Sequence, residues 1–461
     1  VFQEQGRMKA QGEVKAGQLR RGRIRGFGGG HGGRVRDIAS AADASGVRQG
    51  TLPRQAGTSL FIGLLLMLPL FGEFFHYMVD AGPFYYLSKA WPFLTLPLAV
   101  YALMALRTPH HNLYIACLIY VLAITPALSI YWLGNGFVDA MGTTIKVWPL
   151  CYYFSVLAVL ALLKPSPATL RRALLVLGVV SLAVLWGLWI VVPRSHYAMD
   201  PTVSKLFLFE YERGYRIYLP ETFNIILIFY CTHRVLQRPA AWHVLLVPFA
   251  IISMLLIYKQ RLAIAVTVAM VGWIVMINLP KALRTVALTI AGIGAVGGAI
   301  LLMHHAQGVS NSLGASLSIR QTSMRLLTQF LLDEPVRWIF GAGGTTRFGS
   351  VTMADIIGRK DFYLADLGWA GVLFEYGVFG GLLLLLLYVT AIRQPMRLKV
   401  ESSLETEEAL RQTALYGALH AYGIYLLLVT AVYSPVFTPG EMSMVTALLL
   451  YLNRRWWRPG R

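Results

Sequence analysis

The stretch Ser318-Ile-Arg-Gln-Thr-Ser-Met-Arg325 opens a polar segment that continues through Phe340-Gly-Ala-Gly-Gly344 and past Asp361 into the apolar run 366–391. A run of that length and composition suits the hydrocarbon core of a bilayer, about 30 Å thick. It decides the fold because similar runs recur along the chain, near 59–78, 87–106, 113–133, 144–163, 172–192, 217–236, 241–258, 261–279, 285–303, 413–434 and 441–453. They are continuous, not alternating, which excludes a membrane β-barrel. The expectation is an all-α polytopic membrane protein with about 12 transmembrane helices.

Bulk properties agree. The chain is 56% hydrophobic, with a mean hydropathy of +0.57. Its net charge of +19 has two sources. Residues 1–58 are rich in arginine and glycine and poor in apolar residues, so they are expected to be a disordered basic segment. It is either a cytoplasmic tail or an upstream extension foreign to the native chain, and it lacks the apolar core of a secretory signal. Residues 59–461 form the transmembrane domain. Much of the remaining positive charge falls in short loops, the pattern of positive-inside topology and not of nucleic-acid binding. Cys117, Cys151 and Cys231 all lie in apolar runs and suggest neither disulfides nor a metal site.

With the N-terminus inside, every inside loop is basic. These loops hold Arg107, Lys164 with Arg171 and Arg172, Arg234 with Arg238, Lys281 with Arg284, and Arg393 with Arg397 and Lys399. Both termini are then cytoplasmic, and the two sizeable outer loops are 193–216 and 304–365. The second loop contains an amphipathic candidate, Gln321 to Leu332, with Met324, Leu327, Phe330 and Leu331 on one side. It is expected at the membrane–water boundary and is ended by Asp333-Glu334-Pro335.

Several cations stand on the opposite, outer side: Lys146, Arg213, Arg216, Lys259, Arg261, Arg320 and Arg325. Charge beside hydrocarbon is costly unless it is paired, reaches water or meets an anionic ligand. For each cation alone, an ion pair or a snorkelled side chain is the plainer reading, and Glu210, Glu212, Glu221, Asp333 and Glu334 are available on that side. For the set, drawn from separate segments, a shared anionic ligand is the simpler one. Arginine matches phosphate oxygens with a planar fork.

Asp361 and Asp366 are the acid–base candidates, with Asp366 also suited to capping the following helix. Glu375 lies within the same span, either functional or hydrogen-bonded to a neighbour. The glycine-rich Phe340–Gly344 lacks the Gly-Lys-Ser/Thr of a phosphate loop and is expected to be a tight turn. Tyr363 and Trp369 could stack on sugar rings or anchor the interface. The histidine pairs His110-His111 and His304-His305 lack metal-site spacing, and no Asp-x-Asp pair occurs in the expected outer loops.

The order Arg320, Pro335, Phe340-Gly-Ala-Gly, then a polar residue ahead of a span carrying Gly377 and Gly380, resembles the C-terminal half of Wzy-type polysaccharide polymerases and O-antigen ligases. The hairpin Lys259-Gln260-Arg261-Leu262 is similar to that superfamily's Ser-Arg-Gly segment. The resemblance covers roughly residues 205–390. Where the ligases carry His-Asn, this chain has Asp366-Leu367, which favours a polymerase, and the whole looks most like the xanthan-type exopolysaccharide branch. The resemblance implies a GT-C-related fold in the bacterial inner membrane and metal-independent glycosyl transfer without a cofactor. The implied substrates are oligosaccharide repeat units on undecaprenyl diphosphate, and a chain-length regulator or export protein is an implied partner. Arg261, Arg320 and Arg213 or Arg216 would then hold the diphosphate, with Asp366 as base. Lys259, Arg325, Asp361 and Tyr363 would be further substrate contacts. The rival readings are a ligase and a flippase for lipid-linked sugars.

Overall fold

Every residue of the helix Thr222–Gln237 from Thr222 to Thr232 is buried. A helix that is apolar all round belongs inside a bundle, and the rest of the fold is arranged about this one. The computed structural model describes residues 54–200, 204–211, 213–286, 288–289, 320–345, 355, 364–394, 406–433 and 438–453.

The chain opens with α1 (Arg54–Phe71), α2 (Gly82–Leu94) and α3 (Leu96–Ala105), the last two nearly continuous. Then come α4 (His111–Ile119) and α5 (Thr125–Leu133), joined by a π turn over Tyr120–Ile124. A bent segment follows, α6 (Phe137–Gly142) and α7 (Tyr152–Leu163), with a 55° angle between its two parts. Next is α8 (Pro167–Val191), started by Ser166, whose hydroxyl accepts from the Thr169 amide, with Pro167 at the first helical position. A short antiparallel hairpin, β1 (Phe207–Glu210) and β2 (Gly214–Ile217), leads into α9, the central Thr222–Gln237 helix. The helices α10 (Ala241–Ser253, prolonged by a π turn to Tyr258) and α11 (Arg261–Asn278) come next.

After these come α12, described over 320–332, α13 (Pro335–Phe340), α14 (Trp369–Ile392), α15 (Glu407–Val429) and α16 (Pro439–Leu452). The central α9 packs against α8, α10, α11 and α15.

The protein is therefore a mostly helical, polytopic membrane protein. Among the described residues, six helices are long and apolar enough to cross a bilayer, seven if the bent α6–α7 pair counts as one span. The count of 12 exceeds this for physical reasons. Helices α9 and α16 have only 16 and 14 residues. The first turns of α15 carry Glu407, Glu408 and Arg411. The apolar part of α1 is short. Most of the expected span 285–303 lies outside the described residues, as does nearly all of the basic segment 1–58.

Two satellite clusters fix the pieces that matter for function. Leu185, Leu206, Ile217, Leu219 and Ile257 clamp the hairpin to α8 and to the π turn at the end of α10. Leu327 and Leu331 of α12 pack with Leu133, Ala342, Leu367 and Phe374. The amphipathic reading of 321–332 is thus realised for Leu327 and Leu331, while Met324, on the same side by helical spacing, is left 43% exposed.

The glycine-rich segment is more than a turn. Helix α14 is interrupted at Gly377, which has φ +63° and ψ −174°. The carbonyls this break frees accept hydrogen bonds from the opposite strand of chain. Ala342 N donates to Phe374 O at 2.7 Å and Gly343 N to Glu375 O at 3.1 Å. The Tyr120 hydroxyl bonds both Phe340 O (2.7 Å) and Tyr376 O (2.9 Å). The backbones lie so close that a Cβ on Gly341 would sit 2.4 Å from Glu375 O. Beside this clasp, Lys146 Nζ donates to both Glu375 carboxylate oxygens at 2.6 Å. Of the two readings of Glu375, this is the structural bond to a neighbouring segment. It also gives Lys146, one of the wrong-side cations, its partner.

Candidate functional site

One end of the bundle holds a cavity of about 410 Å³. Helices α1, α10 and α15 run toward it, and α9, α11 and α16 run away from it. The loop after α1 supplies Glu73, His76 and Tyr77. Strand β2 and its extension supply Arg216 and Tyr218, which alternation along extended chain puts on one side. The residue before α9 is Glu221, the π turn supplies Tyr258, and Gln260 follows it. The end of α15 brings Tyr422 and Tyr425, and the start of α16 brings Glu441.

The polar groups are unevenly satisfied. Glu441 Oε2 accepts from the Tyr422 hydroxyl at 2.7 Å, and Tyr422 also bonds Thr222 Oγ1 at 3.1 Å. Lys89 Nζ lies 2.8 Å from His76 Nδ1. Arg216 is 5% exposed. Its Nη2 pairs with Glu210 and its guanidinium stacks over the Tyr218 ring at 4.7 Å. Its Nε and Nη1 have no partner among the described residues, nor do Glu73 Oε1 and both carboxylate oxygens of Glu221. Burial, with charge on Glu441 adding to it, pushes the Glu221 carboxyl well up from the usual carboxylate range. Burial likewise pushes Glu73 up to about 8, against the pull of Lys89.

On the other side of the same wall lies an open groove lined by Arg213, Leu255, Lys259, Arg261, Ile264 and Ala265. Lys259 takes a left-handed conformation, φ +58°, that turns the chain sharply between α10 and α11. Its Nζ donates to Arg213 O at 2.9 Å, and burial lowers its pKa. Arg213 Nε is 3.5 Å from Glu210 Oε2. Arg261 is exposed and has no ion-pair or hydrogen-bond partner among the described residues. Lys259 faces the groove and the adjacent Gln260 the cavity; Arg213 and Arg216 divide in the same way.

The expected constellation is therefore gathered only in part. Arg213, Lys259 and Arg261 meet in the groove, with Arg216 just across the wall. Arg320 and Arg325 do not join them: they line a separate surface groove on α12, beside Met324 and Thr328. Asp366 belongs to a 3-10 turn, Leu364–Leu367, whose Leu367 packs with that same α12 cluster. It is not the cap of the following helix, which begins at Trp369 behind Gly368. The side chain of Asp366, and the whole of Asp361 and Tyr363, lie outside the described residues. Trp369 bonds Thr430 through its indole N–H at 3.0 Å, tying α14 to the end of α15. The sequence reading missed Glu73 and Glu441 as site residues. The one available signal was an acid at the edge of an apolar run, the mark of a costly charge.

No family model matches the chain, and no curated protein matches it.

Proposed function

We propose that this protein is a glycosyltransferase of the bacterial inner membrane that joins oligosaccharide repeat units carried on undecaprenyl diphosphate, in the manner of a Wzy-type exopolysaccharide polymerase. The observation that carries this reading is the shared wall: an open cationic groove and an acid- and tyrosine-lined cavity, separated by consecutive residues. Arg213, Lys259 and Arg261 suit a diphosphate, and Leu255, Ile264 and Ala265 beside them suit a prenyl chain. In the transfer, charge grows on the diphosphate as the glycosidic bond breaks, and fixed cations stabilise it without a metal. Tyrosine faces and carboxyl groups in the cavity suit sugar rings and hydroxyls. The GT-C relation, the full count of 12 spans and the periplasmic orientation of this end, with both termini cytoplasmic, belong to the same proposal.

A second reading, a transporter of lipid-linked anionic sugars, is favoured by one observation. The break in α14 at Gly377, with the Glu375–Lys146 pair beside it, is the kind of interrupted span that transporters use. The two readings separate in a strain lacking the chromosomal gene. The polymerase reading expects single repeat units to accumulate on the outer leaflet; the transporter reading expects them to stay on the cytoplasmic side. Complementation with Arg261→Ala or Lys259→Ala, at normal protein abundance, is expected to leave chains short. Full-length polymer from both variants would overturn the groove assignment.

A further inference from the structure

We propose that the cavity is the acceptor-sugar subsite and that Glu221 takes the proton from the attacking hydroxyl. This deepens the glycosyl-transfer reading and rests on it.

Glu221 stands at the N-cap position of α9, yet its side chain makes no capping bond. Asp and Glu near a helix N-terminus ordinarily serve the free amides there. Here both carboxylate oxygens are buried without a partner among the described residues, and the residue lines the cavity. Leaving such a group unmet costs free energy, so its retention calls for a ligand hydroxyl. An independent group makes the same demand. Arg216, 5% exposed, lines the same cavity with Nε and Nη1 unpartnered. A polyol answers both needs at once: its hydroxyls donate to the carboxylate and accept from the guanidinium.

Glu441, fixed by the Tyr422 hydroxyl, supports the assignment. Two carboxyls in one enclosure share a proton more readily than they both ionise. The held Glu441 and the free Glu221 thus have different tasks. Burial and the neighbouring Glu441 favour the protonated form of Glu221 before the acceptor binds. The base is its ionised form, which hydrogen bonds from the acceptor hydroxyls stabilise, and in that form a carboxylate with a raised pKa is the stronger proton acceptor.

The acceptor O–H bond breaks and its proton passes to Glu221. The freed oxygen forms a bond to the anomeric carbon of the donor. The bond from that carbon to the diphosphate oxygen breaks, and its electron pair leaves with the lipid diphosphate, whose charge the groove cations hold. Lys259 faces the groove and Gln260 the cavity, and consecutive Cα atoms are only about 3.8 Å apart. The diphosphate and the acceptor are thereby brought to either side of one turn, and the donor sugar must reach past that turn into the cavity for its anomeric carbon to meet the acceptor oxygen.

The test uses membranes from the gene-deleted strain carrying the full chain, assayed for polymer formation from their own lipid-linked repeats. Binding of undecaprenyl diphosphate to the purified protein is measured separately by native mass spectrometry. Glu221→Gln is expected to lower the rate by about a hundredfold or more, with abundance and undecaprenyl diphosphate binding unchanged. Glu221→Ala is expected to be as slow and to be restored by added formate, which a structural role would not produce; Glu221→Gln gains nothing from formate. Full activity in Glu221→Gln overturns the proposal and leaves the transfer reading intact. Where Glu221→Gln is not recovered in membranes, Glu221→Ala decides: no restoration by formate overturns the proposal. A wild-type chain that forms no polymer and binds no undecaprenyl diphosphate overturns both.

Discussion

The Lys146–Glu375 pair is a charge contact whose loss has a calculable sign. Glu375 is 4% exposed and Lys146 24% exposed, so removing either charge unbalances a largely enclosed site. Glu375→Gln is expected to destabilise by about 3 kcal/mol, the low end of the range for buried pairs because Lys146 keeps some water. The double variant with Lys146→Met is expected to recover much of that loss in thermal unfolding in detergent. A second prediction concerns pH. Glu73 keeps its proton up to about 8 in the fold, so its stabilising contribution is complete below 4.5 and lost as pH rises through 8. His76, brought down to about 3 by burial and by Lys89, behaves oppositely. Its contribution is complete above 6.5 and lost as pH falls toward 3. Between 4.5 and 6.5 the slope of His76 offsets only part of the opposing slopes of Glu73 and Glu221, so the melting temperature is expected to fall gently there as pH rises and more steeply above 6.5, and to fall again below 4.5. Glu73→Gln is expected to flatten the alkaline limb in part, Glu221 supplying the remainder. A limb unchanged in Glu73→Gln would contradict the assignment. The sequence revealed the cations because a positive charge on the wrong side of an apolar run is conspicuous. It could not reveal Glu73 or Glu441 as cavity acids, since the cavity is closed by segments as far apart in sequence as 73–77, 216–222 and 422–441.

At the level of elements, the clasp between 340–344 and the break in α14 is the most demanding construction. Gly377 has φ +63°, and a Cβ there would sit 2.4 Å from Gly341 N and Ile339 O, both backbone atoms that cannot step aside. Gly377→Ala is expected to destabilise on the order of 3 kcal/mol, through strain and displaced hydrogen bonds. Gly423→Ala, with open space around it, is the control. Thermal unfolding of both variants checks this. The glycines were visible in the sequence as a turn signal. Their pairing with Gly377 was not, because an uninterrupted apolar run gives no sign of a helix that breaks and is bonded from outside. The amphipathic α12 was legible from its spacing, although Met324 on that side is left uncovered.

For the whole molecule, topology is the testable quantity. Helix α9 runs from Glu221 at the cavity to Arg238 at its far end, where Glu407 gathers Arg234, Arg238 and Arg411. All three native cysteines are buried, so single introduced cysteines report without background. On the proposed inner-membrane orientation, Tyr211→Cys is expected to label from outside intact cells after outer-membrane permeabilisation, and Arg238→Cys only after lysis; the reverse pattern would overturn that orientation. The helical membrane class was legible because hydropathy is local. The number of full crossings was not, because the enclosed α9 and α16 are short for reasons of packing that a hydropathy profile does not register. The wall between groove and cavity has a thermodynamic corollary. Lys259 braces the Arg213 carbonyl from the groove side, while Gln260 is tied to the Tyr218 hydroxyl on the cavity side. A ligand on one face that shifts this shared turn alters the affinity of the other face, and by the same factor in both directions: on the proposed function, donor and acceptor would be each other's effectors.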